Sequence, residues 1–126
     1  MLKEFRRDRF PILLYHRFVQ DQAALARYPG TEIIFTVTAQ QFEAHIASLA
    51  QQGYCSVTPD QVFTFITQGK SLPERPVMIT VDDGWRSNID IMLPILEKYH
   101  FCCTIFVTTG PEAWIFRKFE GLDRGL

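Results

Sequence analysis

Short apolar runs alternate along the chain with stretches whose apolar residues recur every three or four positions, and this alternation predicts the elements. Pro11 to Tyr15 (P-I-L-L-Y) and Val77 to Val81 (V-M-I-T-V) are runs of the kind expected for strands covered on both faces, the first with His16 at its margin. Cys103 to Thr108 (C-T-I-F-V-T) reads as another such strand, and Tyr54 to Val57 as a shorter one. Between them the period changes. Phe42, Ile46, Leu49 and Ala50 lie on one helical face, preceded by the capping box Thr38-Ala39-Gln40-Gln41 and followed by Gly53, where a left-handed residue closes a helix. Thr58-Pro59-Asp60-Gln61 repeats the start signal, Val62, Phe65 and Ile66 form the expected inner stripe, and Gly69 ends it.

A third helix is predicted from Ile89, Leu93, Leu96 and Tyr99. Pro94 cannot sit deep inside a regular helix, so a first turn is expected near Ser87 to Asp90 and the main body close to Pro94. Gln20 to Gly30 and Ser71 to Pro76 read as loops. Apolar strands separated by helices give βα units, so the expected class is α/β with a parallel sheet. Gly110 to Leu126 differ in character: Trp114, Ile115, Phe116 and Phe119 are apolar, with no helix start and no closing strand.

Length limits what such a sheet can become. A complete (β/α) barrel typically takes ~250 residues and ~200 at its lower end, so 126 residues can hold only part of one. The expectation is one incomplete domain over 1–126, a partial barrel truncated before closure, with 110–126 as an atypical tail. Thirteen basic and 14 acidic residues leave a net charge of -1, which offers no footprint for nucleic acid or an anionic membrane surface. Lys3, Arg6, Arg7 and Arg9 are interrupted by Glu4 and Asp8 and read as a solvated face. No apolar run reaches the ~18 residues of a membrane helix and no signal-peptide pattern opens the chain, so a cytoplasmic location is expected. Cys55, Cys102 and Cys103 contain no C-x-x-C pair and fit a reducing compartment.

The chemistry concentrates at Asp82-Asp83-Gly84, where an apolar strand ends in two carboxylates and a glycine. Asp-Gly is a common turn signal, and that reading stays open. The segment after Gly84 has helical rather than alternating periodicity, which favours a strand-to-helix junction. There one carboxylate can hold a divalent cation while its neighbour takes a proton from water. His16, just past the first strand, and Trp85, after the glycine, are candidates for the same pocket, each with a packing role as the alternative. His45 reads as a partly buried residue on its helix, and His100 as the end of the third helix, where an imidazole interacts favourably with the dipole.

P-I-L-L-Y-H-R-F (11–18), F-E-A-H-I-A-S-L-A-Q-Q-G-Y (42–54), I-T-V-D-D-G-W-R-S-N (79–88), L-P-I-L-E-K-Y (93–99) and T-I-F-V (104–107) together resemble the polysaccharide deacetylases of carbohydrate esterase family 4. The resemblance implies a deformed (β/α) barrel that removes acetyl groups from N-acetylglucosamine-type sugars. By position it implies Asp82 as general base and Asp83 as ligand of a divalent metal, zinc above others. It also implies partners that this sequence lacks: an H-x-x-x-H metal pair, a substrate-gripping arginine motif and an acid-histidine motif. His16, His45 and His100 contain no pair four apart. Three protein ligands are typical of catalytic zinc, so the chain by itself is expected to be inactive or weak.

Two other readings stand beside it. One is a non-catalytic carbohydrate-binding module that completes its barrel with a second chain, because unclosed edges favour self-association. The other is a flavodoxin-like sheet using the aspartates for phosphoryl transfer, disfavoured by the absence of a glycine-rich phosphate loop.

Overall fold

The computed structural model describes residues 9–110 together with Asp123 and Gly125. The central strand is β5, Pro76–Asp83. Strand β1, Ile12–Tyr15, pairs with it in parallel, with Ile12 opposite Met78 and Tyr15 opposite Val81. Strand β4, Cys55–Ser56, runs parallel to its first residues, and β6, Thr104–Val107, runs parallel to Thr80–Asp83. Amides of Cys55, Val57 and Thr108 donate to the carbonyls of Arg75, Val77 and Asp83, whereas the Met78 amide donates to Pro11. Odd-numbered residues of β5 therefore serve β4 and β6 along one edge, and even-numbered ones serve β1 along the other. Among the described residues the sheet does not close.

Helix α3, Ala39–Gln51, and helix α4, Pro59–Gln68, start as expected: Thr38 and Thr58 each accept from the amide three residues on, and Gln41 and Gln61 reach back. Gly69 adopts the left-handed cap of α4 at φ 68°. Phe42 and Ile46 of α3 are fully buried against Ile79 and Val81 of β5 and against Phe18. Phe42 meets the rings of Tyr15 and Phe18 edge-on at 5.0 and 4.8 Å. Helix α4 differs from its expected stripe. Ile66 and Phe63 are exposed and none of its side chains is fully buried, so α4 contributes little to the core.

The third helix carries the clearest difference in phase. Asn88–Met92 form a π turn, in which the Leu93 amide donates to the Asn88 carbonyl, and α5 continues over Leu93–Lys98 with Pro94 in its first turn. Proline has no amide proton and its ring crowds the carbonyl four residues back, so a widened turn ahead of it relieves both. The extra residue rotates the apolar face. Met92 and Leu96 are the ones fully buried in the core, while Ile89 and Leu93, expected on the inner stripe, are only partly buried.

Two short strands were not legible in the apolar pattern. Strand β2, Arg17–Val19, and β3, Thr36–Thr38, form a separate parallel pair, joined through α1, Gln22–Leu25, and α2, Gly30–Ile33. The region expected as a loop over Gln20 to Gly30 thus contains a helical turn, capped by Asp21 accepting from the Ala24 amide at 2.8 Å. The expected tail falls largely outside the described residues, as do Trp114, Ile115, Phe116 and Phe119. Of it, Gly125 makes an isolated antiparallel bridge with Trp85, and the Asp123 carboxylate accepts from the amide and hydroxyl of Ser87. No helix among the described residues is long and apolar enough to cross a membrane.

Candidate active site at the strand tips

Strand β5 continues two residues past the apolar run, so Asp82 and Asp83 belong to the strand itself and pair with Phe106 and Val107 of β6. This is the carboxyl end of a parallel sheet, where α/β folds place their ligand sites. Asp83 has φ 77° and Gly84 also has φ 77°. Consecutive positive φ values are what an Asp-Gly hairpin would use, yet the neighbours here are parallel and the chain leaves into the π turn. Aspartate tolerates the left-handed region better than most side chains. At Gly84 a β-carbon would also meet Val107 Cγ1 at 3.1 Å, so the glycine is required by conformation and by space.

The first strand delivers the next group. At His16 the chain leaves the main sheet: Tyr15 is the last residue of β1 and Arg17 the first of β2. That crossing is pinned from the helix side. Fully buried Asn88 donates from Nδ2 to the His16 carbonyl at 3.0 Å, and the Phe18 amide donates to Ser87 Oγ at 3.2 Å. His16 Nε2 then stands 3.8 Å from Asp82 Oδ2, with both side chains partly open to solvent. Its ring also rests on Phe35, centroid to centroid 5.1 Å.

Asp83 turns to a different neighbour. Its Oδ2 accepts from the indole N–H of Trp85 at 3.3 Å, and Trp85 is fully buried. Beside the indole lies the Arg17 guanidinium, 4.1 Å from the Trp85 ring centroid and 4.6 Å from that of Tyr28. Arg17 also donates from Nη1 to Glu32 Oε2 at 3.3 Å and to Thr36 Oγ1 at 3.5 Å. His16, Arg17, Glu32, Phe35, Asp83 and Trp85 line an open cleft of about 170 Å³.

The four residues singled out from sequence therefore meet at one end of the sheet, in two contacts, His16 with Asp82 and Trp85 with Asp83. His45 does not join them. It is exposed rather than partly buried, with Nδ1 3.1 Å from the Tyr15 hydroxyl. His100 is exposed at φ 58°, past the end of α5. Arg17, Glu32 and Phe35 escaped the sequence reading, although Arg17 directly follows His16. No periodicity announces a three-residue strand, and Glu32 and Phe35 arrive only through the fold of β2 and β3.

Comparison with known proteins bears on this geometry. A family profile described as polysaccharide deacetylase matches residues 69–115, the segment that holds β5 and its carboxylates. YxkH of Bacillus subtilis, of the same family by name, is 32% identical over 106 residues, 84% of this chain and 34% of YxkH. The chain belongs to the polysaccharide deacetylase family. Poly-beta-1,6-N-acetyl-D-glucosamine N-deacetylase of Escherichia coli is 30% identical over 92 residues, 73% of this chain and 13% of that enzyme. Among solved structures, the Streptococcus pyogenes deacetylase PplD superposes with a TM-score of 0.66 at 25% identity, over 80% of this chain and 43% of PplD. A de-N-acetylase from Aggregatibacter actinomycetemcomitans gives 0.64 at 28% identity, over 76% and 36% of the two chains. The chain thus spans about a third of YxkH, and less of the E. coli enzyme, and its unclosed parallel sheet corresponds to part of a deacetylase (β/α) barrel.

The donor set sets a limit on metal chemistry. Among the described residues no three His, Cys, Asp or Glu side chains come together as a metal site. Catalytic zinc typically takes three protein ligands. The described residues therefore do not by themselves fit a zinc centre.

Proposed function

We propose that this chain provides the general-base arm of a polysaccharide N-deacetylase, which hydrolyses N-acetyl groups on an amino-sugar polymer or oligomer. One observation carries the reading: Asp82 and Asp83 leave the carboxyl tip of a central parallel strand beside a cleft, with His16 3.8 Å from Asp82. In this role Asp82 accepts a proton from a water molecule as the water oxygen attacks the acetamide carbonyl carbon. The C–N bond then breaks, acetate departs and the sugar nitrogen gains the proton. His16 holds the near side of Asp82 and faces the incoming water, while exposed Phe35 gives a sugar ring apolar surface at the cleft wall and buried Trp85 backs the site from behind. Asp83, whose Oδ2 accepts from the Trp85 indole N–H, stands beside Asp82 as a second carboxylate at the strand tip.

A chimera tests this. Residues 9–110 replace the matching segment of YxkH, and acetate release from N-acetylglucosamine oligomers is measured with Zn²⁺ present. The expected result is turnover that falls ~10²- to 10⁴-fold on Asp82→Asn, the range for losing a general base. A folded chimera without turnover, or one that keeps full rate as Asp82→Asn, overturns the assignment. The isolated chain is expected to release little or no acetate in the same assay.

A further inference from the structure

We infer that Arg17 is a positioning residue for Asp83 and acts through the Trp85 indole. Removing a guanidinium from water costs several kcal/mol unless partners compensate, and Arg17 is only 2% exposed. The compensation is specific to its shape. A planar guanidinium can lie over aromatic rings while its edge donates to a carboxylate, which an ammonium on a flexible stem cannot reproduce. Arg17 does both: it lies over Trp85 at 4.1 Å and Tyr28 at 4.6 Å and donates to Glu32 at 3.3 Å.

The consequence passes outward along one line of contacts. Trp85 is fully buried, so its ring direction is set by what it packs against, and the Arg17 guanidinium lies over one face. With the ring held by Arg17, the indole N–H meets Asp83 Oδ2 at 3.3 Å and fixes which way that carboxylate faces the cleft. Glu32, at the far end, ties the orientation to α2. That orientation matters for catalysis only if the proposed function holds, whereas the line of contacts stands independently of it.

The test is solvent exchange of the Trp85 indole proton, followed by ¹H–¹⁵N spectroscopy on the chain as it is, with the signal assigned by Trp85→Phe. Arg17→Lys keeps the charge and loses the stacked plane, and is expected to speed exchange at least ~10-fold. Asp83→Asn is expected to do the same, and the double variant to be no faster than the faster single one, as for residues acting in series. The backbone amide of Ile79 in the core is the control for general loosening and should not change. Should Arg17→Lys fail to fold, Glu32→Gln takes its place with an expected ~3-fold increase. Unchanged indole exchange in whichever of these variants folds, or full additivity in the double variant, overturns the inference. In the YxkH chimera, Arg17→Lys should lower kcat at constant KM and have no further effect alongside Trp85→Phe. A chimera without turnover counts against the proposed function and leaves the exchange result intact.

Discussion

The two faces of the central sheet are treated in opposite ways. Val77, Ile79 and Val81 on one side of β5 are 0% exposed, and Ile79 and Val81 pack with Phe42, Ile46, Met92 and Leu96. On the other side the register sets Ile12 and Leu14 of β1 in line with Met78 and Thr80, and Phe106 of β6 in line with Asp82. There Ile12 is 56% exposed, Leu14 57% and Phe106 57%. Alternate residues of the same strands thus build a finished core and an uncovered apolar surface. In a (β/α) barrel the second surface is the lumen, filled by side chains from the other strands. Among the described residues, the chain's own helices complete one layer of the fold and leave the other bare, and the carboxylates stand where the two meet.

The sharpest way to break that comparison is to empty each face in turn. Phe42→Ala removes a fully buried ring, and should cost about 3–5 kcal/mol, read as a lower urea midpoint. Leu14→Ala, on the bare face, should change the stability read the same way by no more than about 0.5 kcal/mol. If both substitutions cost alike, the lumen face is covered in solution. Leu14→Lys separates two ways of covering it: sedimentation should show weaker self-association than in the unaltered chain if a second copy sits there, and no change if none does.

Smaller but more local is the turn at the strand tip. Gly84→Ala must hold an L-residue at φ 77° and place a methyl 3.1 Å from Val107 Cγ1. A loss of about 2 kcal/mol or more is expected, since the left-handed conformation alone costs roughly 1–2 kcal/mol. Adding Val107→Ala should return the steric part and leave the conformational part. A full return would show that space alone demands glycine here.

How far these features could be read from sequence follows from the range of the forces behind them. Capping boxes are contacts over three residues, so the starts of α3 and α4 stood out at Thr38 and Thr58. The strand tip was legible because a change from apolar to anionic residues is local too. The phase of the third helix was not, because it depends on how Pro94 reshapes the turn before it and brings Met92 inward in place of Ile89. Strands β2 and β3 are three residues each and rich in polar groups, and Thr38 doubles as strand end and helix cap. For the same reason Asp82, Asp83, His16 and Trp85 could be singled out from sequence, whereas Arg17 and Glu32, which meet across 15 positions, could not.

The same contrast of faces is repeated in two adjacent thiols, and this gives the smallest effect. Cys102 is exposed, whereas Cys103 packs against the core cluster with Ile105. Burial, with a lesser contribution from Cys102, pushes the Cys103 thiol up to about 11 from its ordinary 9.0. Below pH 9 its thiolate fraction should therefore be about 100-fold lower than that of an ordinary cysteine, each pKa unit being tenfold. At pH 8.5 an alkylating reagent followed by peptide mass spectrometry should label Cys55 and Cys102 well before Cys103. Above pH 9 the unfolded chain loses this proton while the folded chain keeps it, so the folded state binds more protons and its stability falls as pH rises toward 11. The urea midpoint should accordingly drop between pH 8 and pH 10.5, and drop less in Cys103→Ala. Equal labelling of Cys102 and Cys103 would mean that the covered face opens to solvent on the timescale of alkylation, and that the two faces differ less than their packing indicates.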